Sequence, residues 1–137
     1  SVISRLKEAD IRVSLFVDPA SHQIEASAAI GAQVVELHTG QYCDLINAGD
    51  SIAAEAELQR LKQAASLATE LDLEVHAGHG LTFDSVEPVA AISQIMELNI
   101  GHFLIGEAIF GGLDSAIKRM RHLIRRARTD ASGVQSA

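Results

Sequence analysis

Apolar residues form four short runs along the chain, each with the length of a β-strand. The runs are "IRVSLFV", "QVVELHT", "LEVHA" and "HFLIGEA", at residues 11–17, 33–39, 73–77 and 102–108. The segments between them are long enough for crossover connections, and no Asn-Gly hairpin signal occurs anywhere in the chain. This pattern predicts parallel strands that are connected by helices.

Helical patterns follow all four runs, and residues that favour helix ends flank these segments. The segments are residues 21–32, 52–72, 86–99 and 113–128. Ser21, Asp50 or Ser51, and Ser85 are the expected N-caps, and Gly31 is expected to end the first helix. Alternating strands and helices favour right-handed β/α units around one parallel sheet.

Polar residues gather near the ends of successive strands, and their distribution separates two possible architectures. They are Asp18, Glu36, His38, Thr39, His76, His79, Gly101, His102, Gly106 and Glu107. An open sheet would gather ligand groups at one switch point, whereas a barrel gathers them around its mouth. The sequence therefore predicts an α/β fold over residues 1–128, the C-terminal half (about strands 5–8) of a TIM-type (β/α)8 barrel. Residues 129–137 are predicted to be a disordered tail.

Two glycine-rich stretches occupy the last two units, at residues 78–82 and 101–112. Barrels often bind phosphate with the loops after strands 7 and 8 and with a helix N-terminus. If these stretches follow strands 7 and 8, the other half of the barrel is expected to lie N-terminal to Ser1.

Charge and cysteine content narrow the function classes. Eighteen acidic residues against eleven basic ones give a net charge of −7, which argues against a nucleic-acid partner. The basic cluster at residues 118–128 falls on the polar faces of the predicted last helix. A single cysteine, Cys43, excludes an internal disulfide and favours a cytoplasmic location. No membrane span and no signal-peptide pattern are evident.

Four motifs resemble those of the pyridoxine 5'-phosphate synthase family: "VSLFVDP", "VELHTGQY", "HAGHGLT" and "LNIGHFLIGEAIFGGL". The resemblance extends over residues 11–128. It implies a phosphate-binding barrel, a homo-octamer, and no metal or organic cofactor. It also implies condensation of 1-deoxy-D-xylulose 5-phosphate with 3-amino-2-oxopropyl phosphate, which gives pyridoxine 5'-phosphate, phosphate and water. The family's N-terminal stretch, similar to "DH.ATLRNARG", is absent, and with it the residues taken as proton acceptors.

The resemblance assigns roles to five residues. Glu36 matches the carboxylate that stabilises the transition state, where cationic intermediates form. His79 matches the proton donor, and imidazole exchanges protons readily near neutral pH. Gly80, Gly101 and His102 match positions that bind the aminoketone phosphate, with backbone N–H groups as donors. The His102 ring is expected to be a packed core group.

Other residues of the motifs receive smaller roles. His76 is expected to support the site by hydrogen bonding, since family members can carry asparagine there. His38 and Thr39 belong to the signature without an assigned role, apart from a guess that they orient Glu36. Cys43, in the loop beside Tyr42, has no partner that would activate a thiolate, and we expect it to be unreactive.

Two other function classes stay open. Glu36, His38, His76, His79 and His102 could converge as zinc ligands in a metal-dependent hydrolase, although the glycine context suits phosphate better. Alternatively, the chain is a non-catalytic, phosphate-binding half-barrel. Whatever its function, a lone half-barrel exposes two sheet edges and an apolar inner face. We therefore expect the chain to self-associate or to be part of a longer chain. We also expect that the chain alone lacks synthase turnover.

Overall fold

The computed structural model describes residues 1–134 and contains one four-stranded parallel sheet in the order β1-β2-β3-β4. The strands are β1 (Ser14–Val17), β2 (Val34–His38), β3 (Glu74–Gly78) and β4 (Ile95–Asn99). All three neighbouring pairs are parallel, and helices connect them. This confirms the predicted α/β fold of β/α units, consistent with half of a TIM-type barrel.

Seven helices surround the strands within the described residues. They are α1 (Val2–Glu8), α2 (Ser21–Ala29), α3 (Gly40–Ala48), α4 (Ser51–Glu70), α5 (Val86–Ala90), α6 (His102–Gly111) and α7 (Leu113–Val134). Asp50 caps α4 as predicted, because its carboxylate accepts a hydrogen bond from the Ala53 N–H at 3.0 Å. Ser21 is instead the first residue of α2, and the N-cap position belongs to Ala20.

The last strand lies elsewhere than the sequence indicated. Residues 102–108 are helical, in α6, and β4 occupies residues 95–99, which were predicted to be the end of a helix. A short apolar run does not by itself distinguish a strand from a helix. In α6, Phe103 and Leu104 pack against an apolar cluster, whereas Ile109 is 78% and Phe110 92% exposed. The helix that Ser85 precedes ends at Ala90, so its predicted extension to residue 99 was wrong.

The two faces of the sheet differ in polarity. Val35, Val75 and Ile95 share a register and face the main apolar core, together with Leu61 and Ala65 of α4. The opposite face carries the row Phe16, Glu36, His76 and Glu97. Phe16 remains 54% exposed on this face, which would line the interior of a complete barrel.

The last helix packs against α5 through a second apolar cluster. Met120 of α7 is buried there with Phe83 and Val86. Basic residues of α7 also anchor it: Arg126 pairs with Glu87 at 2.6 Å, and Arg128 donates to the Ile95 carbonyl oxygen.

The disordered tail predicted at residues 129–137 is corrected in part, because α7 is helical up to Val134. The hydroxyls of Thr129 and Ser132 donate to the carbonyls of Arg125 and Arg128, one turn earlier. Residues 135–137 lie outside the described part of the chain. Within residues 1–134, none of the helices is long and apolar enough to cross a membrane.

Candidate active site

A cavity of about 690 Å³ opens beyond the carboxyl ends of β2, β3 and β4. The residues that line it include Glu36, His79, Gly80, Asn99, Gly101 and His102. All five residues to which the resemblance assigned a role therefore lie at one cavity. The correction of β4 explains this convergence, since Gly101 and His102 follow the end of the strand instead of starting it.

Asn99 and Gly78, which sequence analysis did not single out, determine where the Glu36 carboxylate lies. Asn99 Nδ2 donates to Glu36 Oε2 at 2.8 Å. A Cβ on Gly78 would lie 2.5 Å from Glu36 Oε1 and 2.8 Å from the Asn99 carbonyl oxygen. Glycine at position 78 therefore provides the space into which the carboxylate folds.

His79 has a left-handed backbone, with a φ of +79°, directly after β3. This conformation is strained for a residue with a Cβ and costs on the order of 1–3 kcal/mol. Gly80 follows with a φ of +84°, so the chain turns sharply at the mouth of the cavity. His79 also borders a second cavity of about 610 Å³, which Asp18 and His38 help to line.

The imidazoles of His79 and His38 stack, with centroids 4.7 Å apart and planes inclined by 26°. The Gly40 N–H donates to His38 Nδ1 at 3.2 Å, so this ring nitrogen acts as an acceptor. A Cβ on Gly40 would collide with His38 Cε1 and come within 3.1 Å of His79 Cδ2. The two rings therefore pack beside the backbone of Gly40, where a side chain would not fit.

Thr39 joins the end of β2 to the end of β3. Its N–H donates to the Gly78 carbonyl oxygen at 2.9 Å, and its hydroxyl lies 2.7 Å from the same oxygen. The hydroxyl also lies 2.6 Å from the His79 carbonyl oxygen. Thr39 contacts the His79 turn and not Glu36, so the guess that Thr39 orients Glu36 gains no support.

The three residues expected to bind phosphate differ in their surroundings. The fold itself favours glycine at position 80, because a Cβ there would lie 3.1 Å from Cys43 Cβ and because the φ of Gly80 is positive. Gly101 is the N-cap of α6 and has open space where a Cβ would be. No side chain caps α6, so its first N–H groups remain available to an anion. The His102 ring is exposed, and the expectation that it packs in the core was wrong.

His76 lies below the cavity, on the inner face of the sheet. Its Nε2 is 2.7 Å from Glu74 Oε1, and its Nδ1 is 3.7 Å from Glu97 Oε1. Hydrogen bonds from Arg12 and, to a smaller extent, from His76 hold the pKa of Glu74 below its usual range. The hydrogen-bonding partner of His76 is therefore Glu74. Glu74 lies two residues earlier in β3, away from the catalytic candidates.

Tyr42 and Cys43 of α3 are both buried, and burial determines the direction of their pKa shifts. Desolvation raises the pKa of the Cys43 thiol and raises the pKa of Tyr42 to about 12. Cys43 Sγ lies 3.8 Å from the His79 carbonyl oxygen and 3.7 Å from the Ser85 hydroxyl, both of them neutral groups. These surroundings agree with the prediction that the thiol is unreactive.

The zinc hypothesis required several histidines and carboxylates to converge. Within residues 1–134, no three His, Cys, Asp or Glu side chains are arranged so that they could hold a metal ion. His38 and His79 stack face to face, and His76 bonds to Glu74 on the inner face of the sheet. The described residues therefore do not provide the ligand set that this hypothesis requires.

Comparison with known proteins decides the family. A family model described as pyridoxal phosphate biosynthesis protein PdxJ matches residues 1–126. The chain belongs to this family. The pyridoxine 5'-phosphate synthase of Caulobacter vibrioides (strain NA1000 / CB15N) is 61% identical over 127 residues, which are 93% of this chain and 50% of that protein.

Two further proteins named pyridoxine 5'-phosphate synthase show the same extent of similarity. The pyridoxine 5'-phosphate synthase of Roseobacter denitrificans is 56% identical over 92% of this chain and 51% of its own length. That of Zymomonas mobilis is 55% identical over 94% of this chain and 49% of its own length. The chain thus spans about half the length of the PdxJ relatives it matches. The family resemblance inferred from the four motifs is confirmed.

Proposed function

We propose that this chain provides one half of the active site of a pyridoxine 5'-phosphate synthase. The enzyme would condense 1-deoxy-D-xylulose 5-phosphate with 3-amino-2-oxopropyl phosphate to give pyridoxine 5'-phosphate, phosphate and water. The observation that carries the proposal is the cavity at which Glu36, His79 and the start of α6 meet. Membership of the PdxJ family supports the same reaction.

His79 is the proposed proton donor of the condensation. Its exposed imidazole borders both cavities, a position that suits a group serving a reaction between two substrates. Dehydration and ring closure require protons to be given and taken, which imidazole does near neutral pH. The stacked His38 ring and the bare backbone of Gly40 restrict where the His79 ring can lie.

Glu36 is the proposed stabiliser of cationic character in the transition state. Asn99 holds one carboxylate oxygen and Gly78 leaves space for the other, so the charge is fixed in place before substrate arrives. A preorganised charge costs no reorganisation during the reaction, which makes it effective in catalysis.

The phosphate of the aminoketone is proposed to bind at Gly80, Gly101 and His102. The uncapped start of the ten-residue helix α6 offers N–H groups and the positive end of the helix dipole. The open space beside Gly101 allows a phosphate to approach the backbone. No metal or organic cofactor enters this proposal.

The complete enzyme is proposed to be a cytoplasmic homo-octamer of closed barrels. In each barrel, the inner face with Phe16 and Glu36 would be covered by four further β/α units. Those units would supply the proton acceptors and contacts to the second phosphorylated substrate.

A chimaera tests the proposed function. The matched 127-residue region of the Caulobacter vibrioides synthase is replaced by the corresponding part of this chain, and pyridoxine 5'-phosphate formation is measured by chromatography. The chimaera should turn over, and His79→Ala should reduce kcat by about 100-fold or more, since general acid–base catalysis contributes about 10²–10⁴-fold. His22→Ala, at an exposed helical position, is the matched control.

Three results would contradict the proposal. A folded chimaera that binds both substrates but forms no product would favour a non-catalytic, phosphate-binding module. An unchanged kcat in His79→Ala would remove His79 from the role of proton donor. Stoichiometric zinc in the purified chimaera would instead favour the hydrolase class.

A further inference from the structure

The backbone of His79 is held by contacts that neither its own side chain nor the substrate provides. His79 adopts a φ of +79°, which a residue with a Cβ rarely does. Asp10 and Asp72 also have positive φ, but each follows the end of a helix and has the short polar side chain that tolerates this conformation. Histidine at the mouth of the cavity therefore needs support from neighbouring residues.

The hydroxyl of Thr39 contacts both peptide groups that flank the His79 Cα. The Gly78 carbonyl belongs to the peptide group before His79, and the His79 carbonyl belongs to the one after it. Thr39 Oγ1 lies 2.7 Å from the first oxygen and 2.6 Å from the second, so its single hydrogen is shared between them. Fixing both peptide planes fixes φ and ψ of His79, and with them the direction of its Cα–Cβ bond.

Thr39 itself has little freedom to move. Its side chain is fully buried, and its N–H donates to the Gly78 carbonyl oxygen at 2.9 Å. It lies between His38, the last residue of β2, and Gly40, the first residue of α3. The hydroxyl is thus a fixed point from which the end of β3 is held.

The direction of the Cα–Cβ bond decides where the His79 imidazole lies. In the observed orientation the ring stacks on His38 at 4.7 Å and borders the cavity that contains Glu36. Rotation of either peptide plane would swing the ring away from both. A proton donor must lie within hydrogen-bonding reach of the group that it protonates, so such a rotation would reduce the rate.

We propose that Thr39 is a positioning residue that aims the His79 imidazole through its hydroxyl, without contacting substrate. The proposal rests on the proposed role of His79 as proton donor. It gives Thr39, to which the family resemblance assigned no role, a function in the reaction.

A comparison of threonine, valine, serine and alanine at position 39 separates the effect of the hydroxyl from that of the methyl group. Threonine and valine have nearly the same shape and differ by the hydroxyl, and serine and alanine form a second such pair. In the chimaera, Thr39→Ser should keep kcat within about 3-fold of the parent. Thr39→Val and Thr39→Ala should lower kcat by about 10- to 100-fold with a smaller change in KM, because misplacement of a catalytic group acts mainly on the chemical step.

The alternative is that Thr39 only fills space. In that case activity would follow the methyl group: Val would resemble Thr, and Ser would resemble Ala. That pattern, or a kcat of Thr39→Val equal to the parent, would overturn the proposal. Should valine prevent folding, the serine and alanine pair still decides the question, since its members differ only by the hydroxyl.

A second measurement is independent of turnover. The imidazole resonances of His79, assigned by comparison with His79→Ala, should shift in Thr39→Val as the ring leaves the His38 stack, and should return in Thr39→Ser. Unchanged His79 resonances in Thr39→Val would overturn the positioning role even if the chimaera were inactive. Absence of product in the unsubstituted chimaera, in contrast, contradicts the proposed function and not the geometry of Thr39.

Discussion

Replacing Gly78 with alanine tests whether the space beside Glu36 is needed for stability and for the proposed reaction. The new Cβ would lie 2.5 Å from Glu36 Oε1, 2.8 Å from the Asn99 carbonyl oxygen and 3.0 Å from Asn99 Cβ. The first contact can be relieved if the carboxylate turns away. The second involves the backbone of β4 and requires the two strands to move apart.

The expected cost follows from overpacking. Inserting a methyl group into a filled site typically destabilises a protein by about 1–3 kcal/mol. For a domain of 150–250 residues, each kcal/mol shifts the unfolding midpoint by roughly 2–4 °C, so the chimaera with Gly78→Ala should unfold about 2–12 °C below the parent. Displacement of the Glu36 carboxylate should also lower kcat by about 10- to 100-fold.

Gly106→Ala is the matched control. Gly106 lies in α6 with open space around its missing Cβ, and alanine favours helices over glycine by up to about 1 kcal/mol. This variant should therefore be as stable as the parent or slightly more stable. Thermal unfolding by circular dichroism and steady-state kinetics would be measured on both variants under the same conditions.

The Glu36→Ala background separates the two contacts. Without the carboxylate, the 2.5 Å contact disappears and the contact with the Asn99 carbonyl oxygen remains. The stability cost of Gly78→Ala should therefore decrease but not vanish in this background. The reasoning would be refuted if Gly78→Ala unfolded at the same temperature as Gly106→Ala and retained full kcat.

Three further predictions concern other contacts. Asn99→Ala removes the donor to Glu36 Oε2, and because hydrogen bonds to charged groups are worth about 1.5–3 kcal/mol, kcat/KM should fall about 10- to 100-fold; an unchanged value would show that Asn99 is dispensable. Arg126 lowers the pKa of Glu87, so this pair stabilises the fold above the ordinary glutamate range and loses its effect as the pH falls through the lowered pKa. The unfolding midpoint of Glu87→Gln should thus lie slightly below the parent at pH 7 and approach it below about pH 4; a gap that persists in acid would contradict the linkage. The 137-residue chain alone should self-associate in light scattering and form no pyridoxine 5'-phosphate; a cooperatively unfolding 14.6 kDa monomer would contradict this expectation.

The sequence pattern located three of the strands and the long helix α4 because their residues follow simple rules. Val35, Leu37 and Val75 are buried strand residues, and Asp50 is a standard N-cap. The fourth strand was misplaced because β4 is less apolar than the helix after it. Glu97 lies on the polar face of the sheet, and Met96 is left without a partner in register with β3, so β4 lacks the continuous apolar run that marked the others.

From the sequence, only those residues of the candidate site that stand within recognisable motifs could be predicted. Glu36 and His79 stand within short motifs that resemble those of the family. The contacts that hold them join residues far apart in the chain: Glu36 to Asn99 across 63 positions, and Thr39 to His79 across 40. Such contacts depend on strand register and on the backbone angles of one turn, neither of which composition or periodicity specifies.

The strictly sequential strand order bears on how the chain is made. Each strand pairs with the strand that precedes it in the chain, so every new unit finds its docking surface already synthesised. No strand has to wait for a later one to be inserted between it and its neighbour. The pairing partners of β2 and β3 on their N-terminal side are therefore synthesised before these strands are, although a domain generally folds as a unit. The last unit, with β4 and α6, supplies Asn99, Gly101 and His102 to the cavity, so the cavity is complete only when synthesis of the described region is nearly finished.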